Sequence, residues 1–90
     1  MNKKAVILQV YGRVQGVGFR YYTQKKAETL GNKGYVRNCP DGSVYIEAEG
    51  DAGALASFID WGSEGPAWAH VRRVEKQEIP PMGYKKFEIR

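Results

Sequence analysis

Residues 12 to 20 read Gly-Arg-Val-Gln-Gly-Val-Gly-Phe-Arg, and this stretch decides how the chain folds. An apolar run precedes it and a helical pattern follows it, which predicts a turn from a strand into a helix. Its three glycines allow the backbone to curl and to expose N–H groups beside a helix N-terminus, where anions bind. Arg20 adds a planar charged fork that suits phosphate oxygens. The alternative is an ordinary tight turn with a solvated arginine.

Two common phosphate-binding motifs do not fit this stretch. A Walker loop ends in Gly-Lys-Ser/Thr, which is missing here. A dinucleotide-binding fingerprint needs a third glycine where Tyr21 stands. If the stretch binds an anion, it does so in another way.

The residues on both sides of the turn carry regular patterns. The segment 5–11 is predicted to form a strand. Val6, Leu8 and Val10 are apolar at every second position, so they lie on one face of such a strand. After the turn, apolar residues recur at helical steps of three and four, and Gly31 predicts the end of the helix. These helical core positions are Phe19, Thr23, Ala27 and Leu30.

A hairpin is predicted next. The segment 34–38 is a short strand, and Pro40-Asp41-Gly42 is a strong turn sequence. The segment 43–50 then alternates cleanly. Its inward positions are Val44, Ile46 and Ala48, and its outward positions are Tyr45, Glu47 and Glu49.

The last part of the chain completes an α+β pattern. Asp51 is expected to cap a second helix, which Gly62-Ser63-Glu64-Gly65-Pro66 should end. The spacing of Val71 and Val74 predicts a bulged strand over 69–79, and a short strand includes Phe87 and Ile89. The order β-α-β-β-α-β with a terminal strand predicts the ferredoxin-like, split βαβ fold. In this fold two helices pack on one face of a mostly antiparallel sheet.

The composition narrows the functional classes. Ninety residues predict a single domain spanning 1–90, and a net charge of +4 favours anionic partners. The lone Cys39 and the lone His70 predict neither a disulfide nor a metal site. No apolar run is long enough for a membrane span or a signal peptide, so we expect a cytoplasmic protein with no membrane partner. We also expect a monomer.

The residues resemble the acylphosphatase family over nearly the whole chain, in a joint pattern that is highly specific. The first matching segments are the glycine-rich stretch 11–20, Thr23, Ala27, 30–31 and 34–38. The others are 41–44, 48–50, Phe58, Trp61, 65–66, Ala69-x-Val71-x-x-Val74 and Phe87-x-Ile89. Tyr35 departs from the tryptophan that many members have.

This resemblance implies hydrolysis of a small acyl phosphate to a carboxylate and inorganic phosphate. We expect no cofactor. The phosphate-binding arginine of the family falls on Arg20, and its water-orienting asparagine falls on Asn38. Its cradle of backbone N–H groups falls on Gln15, Gly16, Val17, Gly18, Phe19 and Arg20.

The chemistry of acyl phosphates agrees with such a site. The leaving group is a carboxylate with a pKa of roughly 4, so it departs as an anion and needs no general acid. The protein must bind the phosphoryl group, stabilise its charge and orient a water molecule. Backbone N–H groups, one arginine and one amide are sufficient parts for these tasks.

Other interpretations remain open at this point. Asn38 before Pro40-Asp41-Gly42 could simply support the turn. A nucleic-acid-binding module of the same fold is disfavoured, because the basic-aromatic RNA-binding signature is missing and Glu47 and Glu49 would face a nucleic-acid backbone. A non-catalytic regulatory domain is disfavoured by the free-standing length. Tyr21 and Tyr22 are interpreted as packing residues.

Overall fold

Five strands and two helices form the chain in the predicted order. The computed structural model describes residues 2–90. The elements are β1 (Lys3–Arg13), α1 (Phe19–Leu30), β2 (Lys33–Asn38), β3 (Val44–Asp51), α2 (Ala52–Glu64), β4 (His70–Ile79) and β5 (Phe87–Ile89).

The strands form one sheet in the order β4-β1-β3-β2-β5. Strand β1 is antiparallel to both of its neighbours, and β2 pairs antiparallel with β3 and parallel with β5. The two helices pack side by side on one face, with α1 over β2 and β5 and α2 over β1, β3 and β4. The predicted ferredoxin-like α+β fold is therefore confirmed.

The core contains the side chains that the sequence patterns assign to it. Leu8, Val10, Val44 and Ile46 are fully buried between the sheet and the helices. The predicted bulge in β4 is also confirmed, because Tyr11 faces Arg73 while Gly12 faces Val71. Arg72 is the extra residue.

The second helix ends within the predicted stretch 62–66, but it includes Gly62 and continues to Glu64, with Gly65 directly after its last residue. Gly62 is buried, and a Cβ atom there would lie 3.5 Å from Cδ1 of Leu8. Gly62 is therefore a buried position of the helix that lies against β1. Asp51 precedes α2, but the structure records no capping hydrogen bond from its side chain within residues 2–90.

The face of the sheet opposite the helices is partly covered, which the alternation of β3 does not predict. Glu49 is fully buried there. Its carboxylate accepts hydrogen bonds from the backbone N–H groups of Met82 (2.7 Å), Gly83 (3.1 Å) and Tyr84 (3.2 Å). We call residues 80–86, which lie between β4 and β5, the covering loop. The prediction that Glu49 faces outward into solvent is wrong, because this loop lies over it.

Glu47 lies on the same face inside a cluster of tyrosines. The hydroxyls of Tyr35 (3.0 Å), Tyr45 (2.7 Å) and Tyr84 donate hydrogen bonds to its carboxylate. Burial raises the pKa of Glu47, but the hydroxyls of Tyr84, Tyr45 and Tyr35 outweigh burial and hold it below its ordinary value. The three tyrosine hydroxyls thus stabilise the charged form of Glu47.

This tyrosine cluster makes a testable contribution to stability at high pH. Burial and the hydrogen bond to Glu47 raise the pKa of Tyr84 to about 12, compared with about 10 in an unfolded chain. A group whose folded pKa is raised stabilises the fold fully below its unfolded pKa, and this contribution disappears as the pH rises further. The free energy of unfolding should therefore fall between about pH 10 and pH 12.

Tyr84→Phe should lessen that fall, because the variant has no phenol at this position to ionise. Urea unfolding at pH 8, 10 and 11 measures the effect. Tyr22→Phe is the matched control, since Tyr22 is exposed. An identical alkaline loss in wild type and Tyr84→Phe would contradict the prediction.

Candidate active site

The glycine-rich stretch forms the connection between β1 and α1, and buried side chains anchor both of its ends. Val14 is fully buried, and Phe19 is 2% exposed. The ring of Phe19 packs against Trp61, with 5.8 Å between the ring centroids. The hydroxyl of Thr23 donates a 2.7 Å hydrogen bond to the carbonyl of Phe19 and fixes the first turn of α1. The loop between these anchors is therefore rigidly placed.

Two glycines give this loop its shape. Gly16 and Gly18 have positive φ angles of 75° and 77°, whereas Gln15 and Val17, each directly before one of them, do not. When positive and negative φ angles alternate along the backbone in this way, successive N–H groups turn toward one side. Within residues 2–90, the structure records no hydrogen bond donated by the amides of residues 15 to 18. The first turn of α1 follows directly and adds its own N–H groups, which lack acceptors inside the helix.

Gln15 connects the loop to the turn between β2 and β3. Its side-chain amide donates hydrogen bonds to the carbonyls of Cys39 and Ser43, each of 2.8 Å. The sequence predicted only a backbone role for Gln15, because the acceptors lie more than twenty residues away. The two bonds hold the glycine-rich loop in a fixed position relative to the end of β2, where Asn38 lies.

Arg20 and Asn38 line the same cavity, together with Gly16, Gly18 and Phe19. The cavity has a volume of about 240 Å³. Arg20 comes from the first turn of α1, and Asn38 comes from the last position of β2. The sheet brings them together because β1 and β2 both pair with β3, so the end of β1 and the end of β2 lie at the same edge.

The guanidinium of Arg20 has a single recorded partner within residues 2–90. Its Nη1 atom donates a 3.2 Å hydrogen bond to the backbone carbonyl of Arg90, just after β5. A guanidinium carries five N–H donors in a fixed plane. This bond therefore orients Arg20 and leaves the other donors for an anion in the cavity.

Two of the predicted loop residues do not line the cavity. The side chain of Gln15 points to the β2–β3 turn, and Val17 packs against the core. Conversely, the cavity wall includes Tyr21 and Ile89, to which the sequence assigned no part in the site. Tyr21 is 52% exposed, so the interpretation as a packing residue is wrong. Its position, two residues after buried Phe19 and two before buried Thr23, is an outward helical position and could have shown this.

Other reactive side chains lie elsewhere. The thiol of Cys39 is 3.5 Å from Nε2 of Gln9 rather than at the cavity. His70 is exposed at the start of β4. Among residues 2–90, no group of three or more His, Cys, Asp or Glu side chains is placed to hold a metal ion. None of the described helices is long and apolar enough to cross a membrane.

Fold and cavity together define a small α+β domain with a glycine-rich loop, an arginine and an amide at one sheet edge. The sequence model of the acylphosphatase family matches residues 6–89. An acylphosphatase from Thermotoga maritima is 51% identical over 87 residues, which cover 97% of each chain. One from Mannheimia succiniciproducens is 59% identical over 78 residues, or 87% of this chain and 84% of the relative.

A solved structure agrees with these sequence relatives. The acylphosphatase from Coxiella burnetii superposes with a TM-score of 0.95 at 37% identity, covering 99% of this chain and 94% of that one. The chain belongs to the acylphosphatase family. The predictions of family and of acylphosphatase activity are confirmed.

Proposed function

We propose that the chain hydrolyses acyl phosphates by binding the phosphoryl group between the glycine-rich loop and Arg20, while Asn38 orients the attacking water. The observation that carries this proposal is the shared cavity. Arg20 and Asn38 converge there on the backbone of Gly16 and Gly18. The charged guanidinium of Arg20, backbone N–H groups of the loop and the neutral amide of Asn38 then surround one small volume.

The division of tasks follows from the chemistry of each group. The N–H groups of residues 15 to 20 and the guanidinium of Arg20 donate to phosphoryl oxygens and stabilise their charge as the bond to the leaving group breaks. The amide of Asn38 has both a donor and an acceptor, so it can hold a water molecule in one orientation. Neither Arg20 nor Asn38 has to exchange a proton.

The leaving group makes this simple site sufficient. A carboxylate leaves as an anion with a pKa of roughly 4, so neither an acid nor a metal ion is needed to stabilise it. An alkoxide is far more basic, and it would require such help. We therefore propose that the site acts on mixed carboxylic–phosphoric anhydrides and not on alkyl phosphate monoesters.

The supporting experiment compares benzoyl phosphate with glycerol 3-phosphate in EDTA. Benzoyl phosphate should be hydrolysed and glycerol 3-phosphate should not. Inorganic phosphate should raise KM for benzoyl phosphate without changing kcat, because product and substrate use the same loop. A chelator-sensitive activity that Mg²⁺ restores, or phosphate inhibition confined to kcat, would contradict the mechanism.

Further properties belong to the same proposal. We infer one acylphosphatase-like domain over residues 1–90 that acts as a monomer in the cytoplasm. The single core that both helices cover supports the single domain. Size-exclusion chromatography with light scattering measures the molar mass in solution and so tests whether the protein is a monomer.

A further inference from the structure

The cavity described above has two chemically different sides. Arg20 and Asn38 provide the polar side, and Tyr21 and Ile89 provide an apolar side. Tyr21 is 52% exposed and Ile89 is 41% exposed. A phosphate ion has only one phosphorus and four oxygens, whereas the cavity has a volume of about 240 Å³. The cavity is therefore larger than the phosphoryl group requires.

The two apolar side chains reach the cavity from separate elements. Tyr21 follows Arg20 on α1. Ile89 is the last residue of β5 and pairs with Val36 of β2, two residues before Asn38. Because strand residues two apart share a face, Ile89 lies on the face that carries Asn38 and the helices. Tyr21 and Ile89 therefore both border the volume that Arg20 and Asn38 define.

We infer that Tyr21 and Ile89 bind the acyl part of the substrate and favour acyl phosphates with an aromatic or bulky apolar acyl group. This inference rests on the proposed function. Single exposed apolar residues are ordinary on protein surfaces. Here, however, two of the five large exposed hydrophobic residues among residues 2–90 line the cavity of the site.

The geometry of the substrate supports the same assignment. When the phosphoryl group contacts the loop and Arg20, the acyl group has to extend away from these donors. A phenyl ring can stack on or meet the edge of a tyrosine ring, and burial of both apolar surfaces is favourable. An acetyl group offers only a methyl for such contact. The apolar side therefore discriminates by the size of the acyl group, while the polar side binds what all acyl phosphates share.

The test compares kcat/KM for benzoyl phosphate and for acetyl phosphate in wild type, Tyr21→Ala and Ile89→Ser. Each variant should lower kcat/KM for benzoyl phosphate by about tenfold, which is the scale of one lost apolar contact in a pocket. The value for acetyl phosphate should change by less than about twofold. The inhibition constant of inorganic phosphate should stay at the wild-type value.

Two further variants separate a binding role from a general structural effect. Tyr21→Phe keeps the ring and should retain the wild-type ratio of the two substrates. Trp68→Ala removes an aromatic side chain that is 76% exposed and does not line the cavity, and it should also retain the ratio. Circular dichroism checks that each variant is folded.

The outcomes distinguish this inference from the proposed function. If wild type hydrolyses neither substrate, the proposed function fails. If wild type hydrolyses both substrates but Tyr21→Ala and Ile89→Ser lower both kcat/KM values equally, the inference is overturned while the proposed function stands. If Trp68→Ala changes the ratio of the two kcat/KM values as much as Tyr21→Ala and Ile89→Ser do, the inference is also overturned.

Discussion

Alanine at position 38 is expected to lower kcat by about 10²–10³-fold, the usual effect of removing one preorganised polar group, while phosphate binds as tightly as to wild type. The reason is that Asn38 is proposed to hold the attacking water and not the phosphoryl group. Asn38 lies at the end of β2, opposite the loop and helix that would carry the phosphoryl oxygens. Binding and turnover should therefore separate in this variant.

Arg20→Gln is expected to weaken phosphate binding and to slow turnover as well. The guanidinium donates to the phosphoryl group before and during the reaction, so its loss affects both states. Arg20→Lys should restore little of the lost phosphate binding and turnover, because an ammonium is a point charge without the planar set of N–H donors of a guanidinium. It would also lose the orientation that the carbonyl of Arg90 imposes on the guanidinium.

Steady-state kinetics with benzoyl phosphate and calorimetric titration with inorganic phosphate distinguish the two roles. Arg37→Gln removes the same charge one residue before Asn38, from a side chain that lies 4.6 Å over the ring of Tyr45 and away from the cavity. It should behave almost as wild type. Normal turnover in Asn38→Ala, or a loss of phosphate affinity as severe as in Arg20→Gln, would refute this division.

Glu49→Gln is expected to cause the largest loss of stability, about 2–4 kcal/mol, since hydrogen bonds to a charged group contribute about 1.5–3 kcal/mol each. Glu49 is fully buried and accepts from three successive backbone N–H groups of the covering loop. Glutamine keeps the size of the side chain but removes the charge and turns an NH₂ group toward N–H donors. The midpoint of thermal unfolding should fall by about 10–30 °C.

Thermal and urea unfolding measure this loss. Glu64→Gln is the matched control, because Glu64 is exposed at the end of α2, and its unfolding midpoint should move by no more than about 2 °C. If the midpoint of Glu49→Gln stays within the range of this control, the hydrogen bonds of the covering loop do not stabilise the fold as argued.

Local patterns in the sequence were sufficient for most of the fold. The buried residues of β1, α1 and β3 follow periods of two and of 3.6, which depend only on neighbours in the chain. Local sequence predicted that α2 ends within 62–66, but it did not show that the helix continues through Gly62 to Glu64. The burial of Glu49 also could not be predicted from the sequence. Alternation assigns a residue to a face of the sheet but cannot show that a loop more than thirty residues away covers this face.

The candidate site likewise combines residues that the sequence predicted with residues that it did not. Arg20 was predicted beside its glycines and Asn38 from the family resemblance, while the topology of the sheet brings the two residues together. The side-chain bonds of Gln15 and the contribution of Ile89 depend on contacts between distant segments. Charge and glycine spacing therefore indicated the polar side of the site, whereas its apolar side required the folded chain.

The covering loop connects the buried acid to the cavity along the chain. Glu49 holds residues 82–84, and the chain then leads directly into the three residues of β5. Ile89 at the end of β5 forms a wall of the cavity, and the carbonyl of Arg90 orients Arg20. A ligand that requires this arrangement binds less tightly when the loop opens. Coupling between two equilibria is reciprocal, so the same ligand stabilises the closed loop by an equal free energy. We therefore expect Glu49 to contribute to affinity for the substrate without touching it.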